Sequence, residues 1–306
     1  MLTNVSITNL FNLYSYDLDL KAKESSVCFI TGPNGYGKTT ILNIIDDIYS
    51  GRWTDLCDVC FKSVCLSFSD NISLSVARNC EIAQEDGSDE LITGDVSLNV
   101  NFQLAPGAEY SFNVKKSSEQ EVVLDKNVEL FFDSHPVYYI RDGRLYSKDR
   151  IPTINRCVDS MRDFLKDSSL AETKSFIEKI DVFNKIIEMS DFADKTMQID
   201  RRYGFRFVLN NEEGTILTPD SLSSGEQHLT VMAFELLFMA PDDSLVLIDE
   251  PEISFHMLWQ VDFLKKLEMI LGLRKLQCIV ATHSPQIFNM KWKLSVDLFT
   301  QSGLNR

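Results

Sequence analysis

Residues 27–48, VCFITGPNGYGKTTILNIIDDI, decide the fold of this chain. The stretch starts with four apolar residues, Val27 to Ile30, which are typical of a β-strand covered on both faces. Apolar residues then recur at helical spacing from Ile41 to Ile48, which predicts an α-helix. The turn between them, residues 32–39, satisfies the pattern GxxxxGK followed by Ser or Thr. The sequence therefore predicts a phosphate-binding loop between a buried strand and a helix.

This loop has the chemistry needed to hold the phosphates of a nucleotide. Its glycines let successive backbone N–H groups turn toward the phosphates, and the following helix directs its positive end at them. Lys38 reaches the β- and γ-phosphate oxygens, and Thr39 offers a hydroxyl to Mg²⁺. A glycine turn without a ligand is the alternative, and the flanking strand and helix weigh against it. We predict nucleotide contacts from Gly32, Asn34, Gly35, Gly37, Lys38, Thr39 and Thr40.

A second motif places two carboxylates at the end of an apolar strand. Residues 245–248 read LVLI, and Asp249 and Glu250 follow directly. The C-terminal ends of strands are where α/β sheets bind their ligands. Asp249 is suited to hold Mg²⁺ together with Thr39, and Glu250 is suited to orient or deprotonate a water that attacks the γ-phosphate. The alternative is a solvated acidic turn without a ligand. The presence of a phosphate loop in the same chain weighs against it.

A third motif, LSSGEQ at residues 222–227, opens an apolar segment that we expect to be helical as far as Ala240. By itself it could be a helix cap, with Ser223 or Ser224 as the N-cap residue and Gln227 three residues after Ser224. Its position in the chain is more informative. A phosphate loop comes first, then this motif, then the strand that ends in two carboxylates, then a strand that ends at His283. This order resembles the ATP-binding cassette (ABC) ATPases.

The resemblance implies a dimer in which each ATP is shared between two subunits. In that family the signature serine and its helix N-terminus complete the γ-phosphate site of the partner. Ser223, Gly225 and Glu226 would accordingly belong to the ATP-binding set, and His283 would sense the γ-phosphate. The catalytic residues are then Glu250, His283 and Lys38, and the segment Glu252 to His256 would form a loop at the dimer interface.

Further details resemble the SMC, RecF and OLD branch of that superfamily. An acidic residue, Glu226, stands where transporters usually have glutamine, and the sequence Asp-Glu-Pro-Glu is followed by Ser254 and His256. The opening Asn9-Leu10-Phe11 is also similar. The resemblance covers about residues 1–50 and 203–288.

Two features depart from the transporter pattern. No glutamine-bearing loop occurs at residues 137–144, where Asp142 and Arg144 are candidates for its role. The aromatic residue that stacks on adenine is also open, with Phe11, Tyr14 and Tyr16 as candidates that could equally pack in a sheet.

The rest of the chain suggests a mixed α/β fold. We expect an ABC-ATPase head with a mixed or parallel sheet flanked by helices, an antiparallel β lobe and a short helical insertion. Residues 154–199 are predicted to be helical. The domain boundaries that follow are 1–59 for the N-terminal ATPase half, 60–140 for the β-rich lobe, 141–202 for the helical subdomain and 203–306 for the C-terminal ATPase half.

Composition narrows the function classes. The 306 residues carry a net charge of −15, which disfavours nonspecific coating of DNA. No apolar stretch is long enough for a membrane span, and the first twenty residues lack the basic residues of a signal peptide. We expect a cytoplasmic protein, and its seven cysteines are then expected to be reduced. Cys57 and Cys60 form a CxxC pair without a second one, which is weak support for zinc.

Small ATPases of this type resemble components of bacterial anti-phage systems, and this resemblance implies a homodimeric or higher oligomeric ATPase that regulates a separate effector in anti-phage defence. OLD nucleases carry a Toprim domain after the ATPase, whereas only 23 residues follow His283, so we expect a Toprim-like or HNH nuclease to be another polypeptide. The alternative is a DNA repair or recombination ATPase of RecF or SMC type. A transporter subunit ranks lower. In transporter subunits the signature normally lies much closer to the phosphate loop than the 184 positions that separate Lys38 from Leu222 here. A nucleotide switch without hydrolysis is disfavoured by the presence of Glu250 and His283.

Overall fold

The computed structural model describes residues 1–20, 26–84, 91–105, 108–117, 124–141, 153–171, 173–253 and 255–302. Its strands are β1 (Leu2–Leu10), β2 (Tyr14–Asp19), β3 (Val27–Thr31), β4 (Ser63–Phe68), β5 (Ser73–Gln84), β6 (Leu91–Ala105), β7 (Ala108–Lys115), β8 (Val137–Ile140), β9 (Lys195–Asp200), β10 (Gly204–Leu209), β11 (Ile216–Leu217), β12 (Leu245–Asp249), β13 (Gln277–Thr282) and β14 (Ser295–Asp297). Its α-helices are α1 (Lys38–Tyr49), α2 (Trp53–Asp58), α3 (Lys126–Ser134), α4 (Ile154–Lys166), α5 (Ser168–Ala171), α6 (Lys174–Glu188), α7 (Ser224–Phe234), α8 (Met257–Leu271) and α9 (Leu298–Gln301).

The three strands that end at the sequence motifs, β3, β12 and β13, belong to one five-stranded parallel sheet. Its spatial order is β14-β3-β13-β12-β8, and each neighbouring pair runs parallel. Every side chain of β3 and β12 is buried, as their continuous apolar runs predicted. Because parallel strands end at the same edge, the residues that follow β3, β12 and β13 come together there.

The two faces of this sheet belong to two separate hydrophobic cores. Cys28 and Ile30 point into a core formed with α1, α2, α3 and the antiparallel strands. Val27 and Phe29, which alternate with them, point into a second core formed with α4, α6, α7 and α8. The strand is therefore covered on one side by α1 and a sheet, and on the other side by helices.

Six antiparallel strands form the second sheet, in the order β2-β1-β4-β5-β6-β7. The antiparallel strands expected between residues 60 and 140 are thus present, and they continue the sheet begun by β1 and β2. One face carries buried apolar residues such as Val64, Leu66, Leu74 and Val76. The expected fold class, mixed α/β with parallel and antiparallel sheets and flanking helices, is confirmed.

The helical prediction over residues 154–199 is wrong at its end. Lys195–Asp200 forms β9, which pairs antiparallel with β10, while β11 pairs with the other side of β10. The helix stops at Glu188, and Asp191, Ala193 and Asp194 then adopt positive φ angles that a right-handed helix does not allow. In β9, alternate residues are half-buried and exposed, which is the period of a strand.

The apolar segment after the signature motif is helical, but it is not one regular α-helix. After α7 the chain continues as a short π-helix over Glu235–Met239. The buried guanidinium of Arg274 donates hydrogen bonds to the carbonyl oxygens of Leu236, Leu237 and Ala240 and pairs with Asp242. Arg274 thus supplies donors to the carbonyl groups at the end of this segment, where a helix lacks its own. Within the described residues, no helix combines the length and the apolar character needed to cross a bilayer.

Candidate functional site: a phosphate-loop cleft

The phosphate loop connects the end of β3 to the start of α1, as its sequence predicted. Gly37 is the N-cap residue of α1, with φ at 85° and no side chain to cap the helix. A Cβ atom at this position would lie 2.8 Å from Cδ2 of Leu10 and 3.2 Å from Cε2 of Phe11. Glycine is therefore required both by the backbone conformation and by the turn between β1 and β2 that packs against it. The first N–H groups of α1 face the loop, which favours an anion there.

Lys38 is buried within the loop that it is expected to serve. Its Nζ donates hydrogen bonds to the carbonyl oxygens of Gly32 (2.9 Å) and Pro33 (3.3 Å). Burial lowers the pKa of Lys38, and the negative charges of three nearby carboxylates oppose that shift. Those carboxylates belong to Glu250, Glu252 and Asp249.

The residues expected to hold Mg²⁺ meet in the structure. Oγ1 of Thr39 donates a hydrogen bond to Oδ1 of Asp249 at 3.2 Å, and Asp249 is buried at the end of β12. Within the described part of the chain, no group of three or more His, Cys, Asp or Glu residues could hold a metal ion by itself. A hydroxyl and one carboxylate nevertheless fit Mg²⁺, which is commonly bound by one or two carboxylates and substrate phosphates.

A cleft of about 320 Å³ runs along the loop. It is lined by Phe11, Asn34, Gly35, Gly37, Lys38, Thr39, Thr40 and Glu250. Gly32 precedes these residues in the loop, and a Cβ atom there would be 3.4 Å from Cβ of Leu298 in α9. Six of the seven loop residues predicted to contact the nucleotide therefore share one cavity with Glu250, and Gly32 is not among the residues that line it.

Of the three aromatic candidates for base stacking, the structure places one in this cleft. Phe11 lines it and is partly exposed. The Tyr14 ring is stacked against both Tyr16 (centroids 5.8 Å apart) and Tyr36 (5.2 Å apart). Tyr16 is buried and donates a hydrogen bond from its hydroxyl to the carbonyl oxygen of Tyr36. Tyr14 and Tyr16 thus both contact Tyr36 of the phosphate loop.

Glu250 also lines a second, larger cleft of about 640 Å³ on its other side. Its backbone has φ at 43° and its N–H group donates to the carbonyl oxygen of Ala281, which turns the chain sharply after β12. His283 lines the same cleft, and its Nδ1 lies 3.7 Å from Oε1 of Glu250. The structure thus brings together Glu250 and His283, which the sequence placed in related roles.

Glu252 also belongs to this arrangement, which its sequence motif did not indicate. Nδ1 of His283 is closer to Oε1 of Glu252, at 3.1 Å, than to Glu250. Glu252 is buried and is also bonded to residues at the end of β13. The available signal is the second acid of the Asp-Glu-Pro-Glu sequence, which the resemblance to ABC ATPases placed in a loop at the dimer interface.

The signature motif forms the N-terminus of α7. The Ser223 hydroxyl accepts a hydrogen bond from the N–H of Glu226, and the Glu226 carboxylate accepts one from the N–H of Ser223. The same carboxylate pairs with Lys195 at 2.9 Å. Ser223 is exposed and Gly225 is buried. Among the described residues that line the phosphate-loop cleft, none comes from 222–227.

A histidine that the sequence analysis did not single out connects the signature helix to the loop after β12. Nδ1 of His228 lies 3.0 Å from the carbonyl oxygen of Ile253, and the His228 ring packs against Phe255. The helix that begins with the signature motif is therefore joined to the segment that follows Glu250.

Some expectations concern residues outside the described ranges, namely Asp142, Arg144 and Ser254. Next to the first two, Arg141 donates a hydrogen bond to Oδ1 of Asn43 at 3.1 Å and pairs with Asp46, so the end of β8 is tied to α1. Cys57 is buried in α2, and no zinc-binding group of His, Cys, Asp or Glu is present among the residues that the structure describes.

A family model described as "AAA domain, putative AbiEii toxin, Type IV TA system" matches residues 92–289. No curated protein matches the chain.

Three solved structures are similar to it over most of their lengths. The SMC head bound to the C-terminal winged-helix domain of ScpA is 13% identical, with 94% of this chain and 92% of that chain covered and a TM-score of 0.49. The SMC head domain from Thermotoga maritima is 14% identical, with 96% and 92% covered and a TM-score of 0.44. An SMC head domain with an extended coiled coil, bound to the C-terminal domain of ScpA derived from Pyrococcus furiosus, is 13% identical, with 94% and 90% covered and a TM-score of 0.42.

Proposed function

Because this chain belongs to the family described as AAA domain, putative AbiEii toxin, Type IV TA system, we propose that it binds Mg·ATP and hydrolyses it to ADP and phosphate. The observation that carries the proposal is the contact between Thr39 and Asp249 beside the phosphate loop. It joins the loop to the strand end at the point where a nucleotide and its metal ion would be held together. Lys38 and Glu250 line the same cleft.

Each residue at this site would have its own role in binding or hydrolysing ATP. Thr39 and Asp249 would hold Mg²⁺, which neutralises charge on the phosphate oxygens when bound. Lys38 would exchange its two carbonyl acceptors for phosphate oxygens, and N–H groups of the loop would bind the remaining oxygens. Glu250 would orient the attacking water and accept its proton. Phe11, which lines the cleft, would contact the adenine base.

We further propose that the ATP site is completed by a second copy of this chain. Ser223 stands exposed at the N-terminus of α7, and the described lining of the subunit's own phosphate-loop cleft includes no signature residue. A two-fold dimer would place each signature against the partner's nucleotide and complete both sites at once. Ser223 and Gly225 would contact that nucleotide, while Glu226 would hold the helix terminus through its bond to Ser223.

The biological role that fits is a cytoplasmic regulatory ATPase that controls a separate effector in bacterial anti-phage defence, with a nuclease as the favoured effector. The family description supports a partner protein, since a toxin–antitoxin system has at least two components. ATP-dependent association of subunits would hold or release the effector, and hydrolysis would reset the assembly.

The experiment that tests the proposal measures mass by light scattering and ATP turnover together. The proteins are the wild type, Glu250→Gln and the control Glu213→Gln, whose carboxylate is exposed in a turn outside the three motifs. Each is measured with and without Mg·ATP. We expect Glu250→Gln to lose turnover and to accumulate as an ATP-bound dimer or larger assembly, and Glu213→Gln to behave like the wild type. If neither mass nor turnover of the wild type responds to Mg·ATP, the proposed function is wrong.

A further inference from the structure

β7 is the last strand in the order of the antiparallel sheet, and β6 is its pairing neighbour among the described strands. The N–H group of Lys116, just after β7, donates to the carbonyl oxygen of Val96, and these two residues are opposite in the register of the strands. In an antiparallel ladder, pairs that exchange hydrogen bonds alternate with pairs that do not. The backbone N–H and C=O groups that point away from β6 therefore belong to Glu109, Ser111, Asn113 and Lys115. Within the described ranges, no other backbone group is bonded to them.

The opposite edge of this sheet is β2, and a side chain closes it. The N–H group of Asp17 donates to Oε1 of Gln301 (3.0 Å), and the carbonyl oxygen of Asp17 accepts from Nε2 of Gln301 (2.8 Å). An edge strand without such a cover is a template for pairing with another chain. β7 contains no proline, and its register with β6 is regular from Glu109 to Lys115. The β7 edge is therefore suited to receive an added strand.

The side chains of β7 are complementary to those of a second, antiparallel β7. On the core side of the sheet, Tyr110 and Phe112 are only half-buried, although Phe112 packs edge-on against Trp53 with ring centroids 5.2 Å apart. A neighbouring strand would cover the exposed parts of these two rings. On the other face, Glu109 and Lys115 are exposed, three residues before and three residues after Phe112. Antiparallel pairing centred on Phe112 would thus place the glutamate of each strand opposite the lysine of the other.

We propose that β7 pairs antiparallel with β7 of a second copy of this chain, about a two-fold axis at Phe112, and joins the six-stranded sheets of the two copies edge to edge. In this register Ser111 lies opposite the partner's Asn113, and Glu109 lies opposite the partner's Lys115. The outward-pointing backbone groups of each strand then bond only to those of the other, which a two-fold arrangement satisfies on both copies at once. Opposite charges that face each other across two strands favour this register over a shifted one. The interface includes no residue of the nucleotide motifs, so it requires no ATP.

Light scattering in the absence of nucleotide tests this pairing. We expect the wild type to have twice the 34.9 kDa mass of one chain. Glu109→Lys and Lys115→Glu each place like charges opposite one another, and each should raise the dissociation constant of the dimer at least about tenfold. The matched controls Glu213→Lys and Lys275→Glu make the same charge changes at exposed positions outside β7, and they should remain dimers.

A wild type with the mass of one chain throughout a dilution series from high to low micromolar would overturn the proposal. That result would favour the other candidate occupant, a basic strand of another protein, because no Lys or Arg occurs between Asn79 and Val114. β7 supplies a cation of its own in Lys115, which is why the second copy is the occupant that we propose.

Mixing the two charge variants tests the register itself. In a mixed dimer the Glu109→Lys chain contributes two cations and the Lys115→Glu chain two anions, so both pairs are again attractive. The mixture should therefore recover dimers that neither variant forms alone, and the double variant Glu109→Lys/Lys115→Glu should also be a dimer. If the wild type is a dimer but the mixture is not, the two copies associate through another surface or register.

Amide hydrogen exchange locates the interface residue by residue. The N–H groups of Phe112 and Val114 face β6, whereas those of Ser111 and Asn113 point away from it. In the wild-type dimer all four should be protected. In Lys115→Glu we expect Ser111 and Asn113 to exchange at least about tenfold faster while the other two stay protected. Rapid exchange at Ser111 and Asn113 in the wild-type dimer would contradict the pairing.

These measurements contain no nucleotide, so they succeed or fail independently of the proposed function. If the wild type forms the β7 dimer but neither hydrolyses ATP nor changes mass with Mg·ATP, only the proposed function is wrong.

Discussion

Oγ1 of Thr39 and Oδ1 of Asp249 lie 3.2 Å apart although 210 residues separate them in the sequence. The contact joins the first turn of α1 to the end of β12. A hydroxyl and a carboxylate at this distance can share one small cation between them.

Asp249→Asn should therefore affect metal-dependent activity more than stability. Loss of the anionic ligand is expected to lower ATP turnover by at least about a hundredfold at a fixed MgCl₂ concentration, because a bound metal contributes several kcal/mol to phosphoryl transfer. Higher MgCl₂ should recover part of it. The measurement is turnover across a MgCl₂ titration, with Asp242→Asn, a largely exposed carboxylate, as the control. Equal turnover of Asp249→Asn and wild type at every concentration would contradict the metal assignment.

A mixing experiment tests whether the signature acts on the partner's nucleotide. Lys38→Ala disables the phosphate loop, and Ser223→Arg places a bulky side chain at the exposed start of α7. Each variant alone should be inactive, but a mixture should regain part of the turnover because a mixed dimer contains one site built from two intact halves. Ser223→Arg also loses a helix cap worth about 1 kcal/mol, so its melting curve must show that it is folded. A mixture as inactive as its components would place the signature in its own subunit's site or in neither.

Gly204→Ala should be strongly destabilising. Gly204, at the start of β10, has φ at 76°, and a Cβ atom there would lie 2.2 Å from the carbonyl oxygen of Val158 in α4. The backbone strain costs about 1 to 2 kcal/mol, and the clash adds roughly 1 to 3 kcal/mol. Gly214→Ala is the matched control, since its φ is 58° but its nearest atom is 3.9 Å away. Urea unfolding should show the larger loss at Gly204, and equal losses would refute the packing argument.

Glu235→Gln should change how stability depends on pH. Burial at the start of the π-helix raises the pKa of Glu235 from 4.5 to about 7. The folded state thus binds the proton more tightly than the unfolded state, and this contribution to stability is full below pH 4.5 and is lost as the pH rises through 7. The neutral amide cannot ionise. The free energy of unfolding of the variant, relative to that of the wild type, should therefore rise by up to about 3 kcal/mol from acidic to alkaline pH.

Thermal unfolding at several pH values from 5 to 8 measures this difference, with the exposed carboxylate variant Glu188→Gln as the control. Parallel pH profiles for wild type and Glu235→Gln would show that Glu235 titrates normally in the folded protein.

The motif-bearing elements were the most predictable part of the chain. β3, α1 and β12 follow from apolar runs and helical spacing, because burial of a whole strand or of one helix face leaves such a pattern in the sequence. The resemblance to ABC-type ATPases, which rested on those motifs, is consistent with the family match to an AAA domain, and the relation to OLD proteins stays a prediction.

Contacts between distant elements were less predictable. In the sequence, β9 looks like the continuation of a helix. Only its pairing with β10 in the structure shows that it is a strand. Glu252 and His283 are 31 positions apart, and spacing alone does not show that the buried carboxylate accepts a hydrogen bond from the backbone N–H of His283. Glu226 was assigned to the nucleotide, whereas its oxygens bond to Ser223 and Lys195, and the lysine comes from a strand that the periodicity did not reveal. Its contact with a nucleotide remains a prediction.

The position of β3 in the parallel sheet has a consequence for the timing of folding during synthesis. β3 lies between β13 and β14, which begin at Gln277 and Ser295. At translation rates of about 5 to 20 residues per second, β3 waits on the order of tens of seconds for its neighbours. A nascent chain that ends before residue 277 carries the phosphate-loop sequence but not the strands that support it. The ability to bind nucleotide should therefore arise late in translation, after the long segment that connects β3 to its partners has been made.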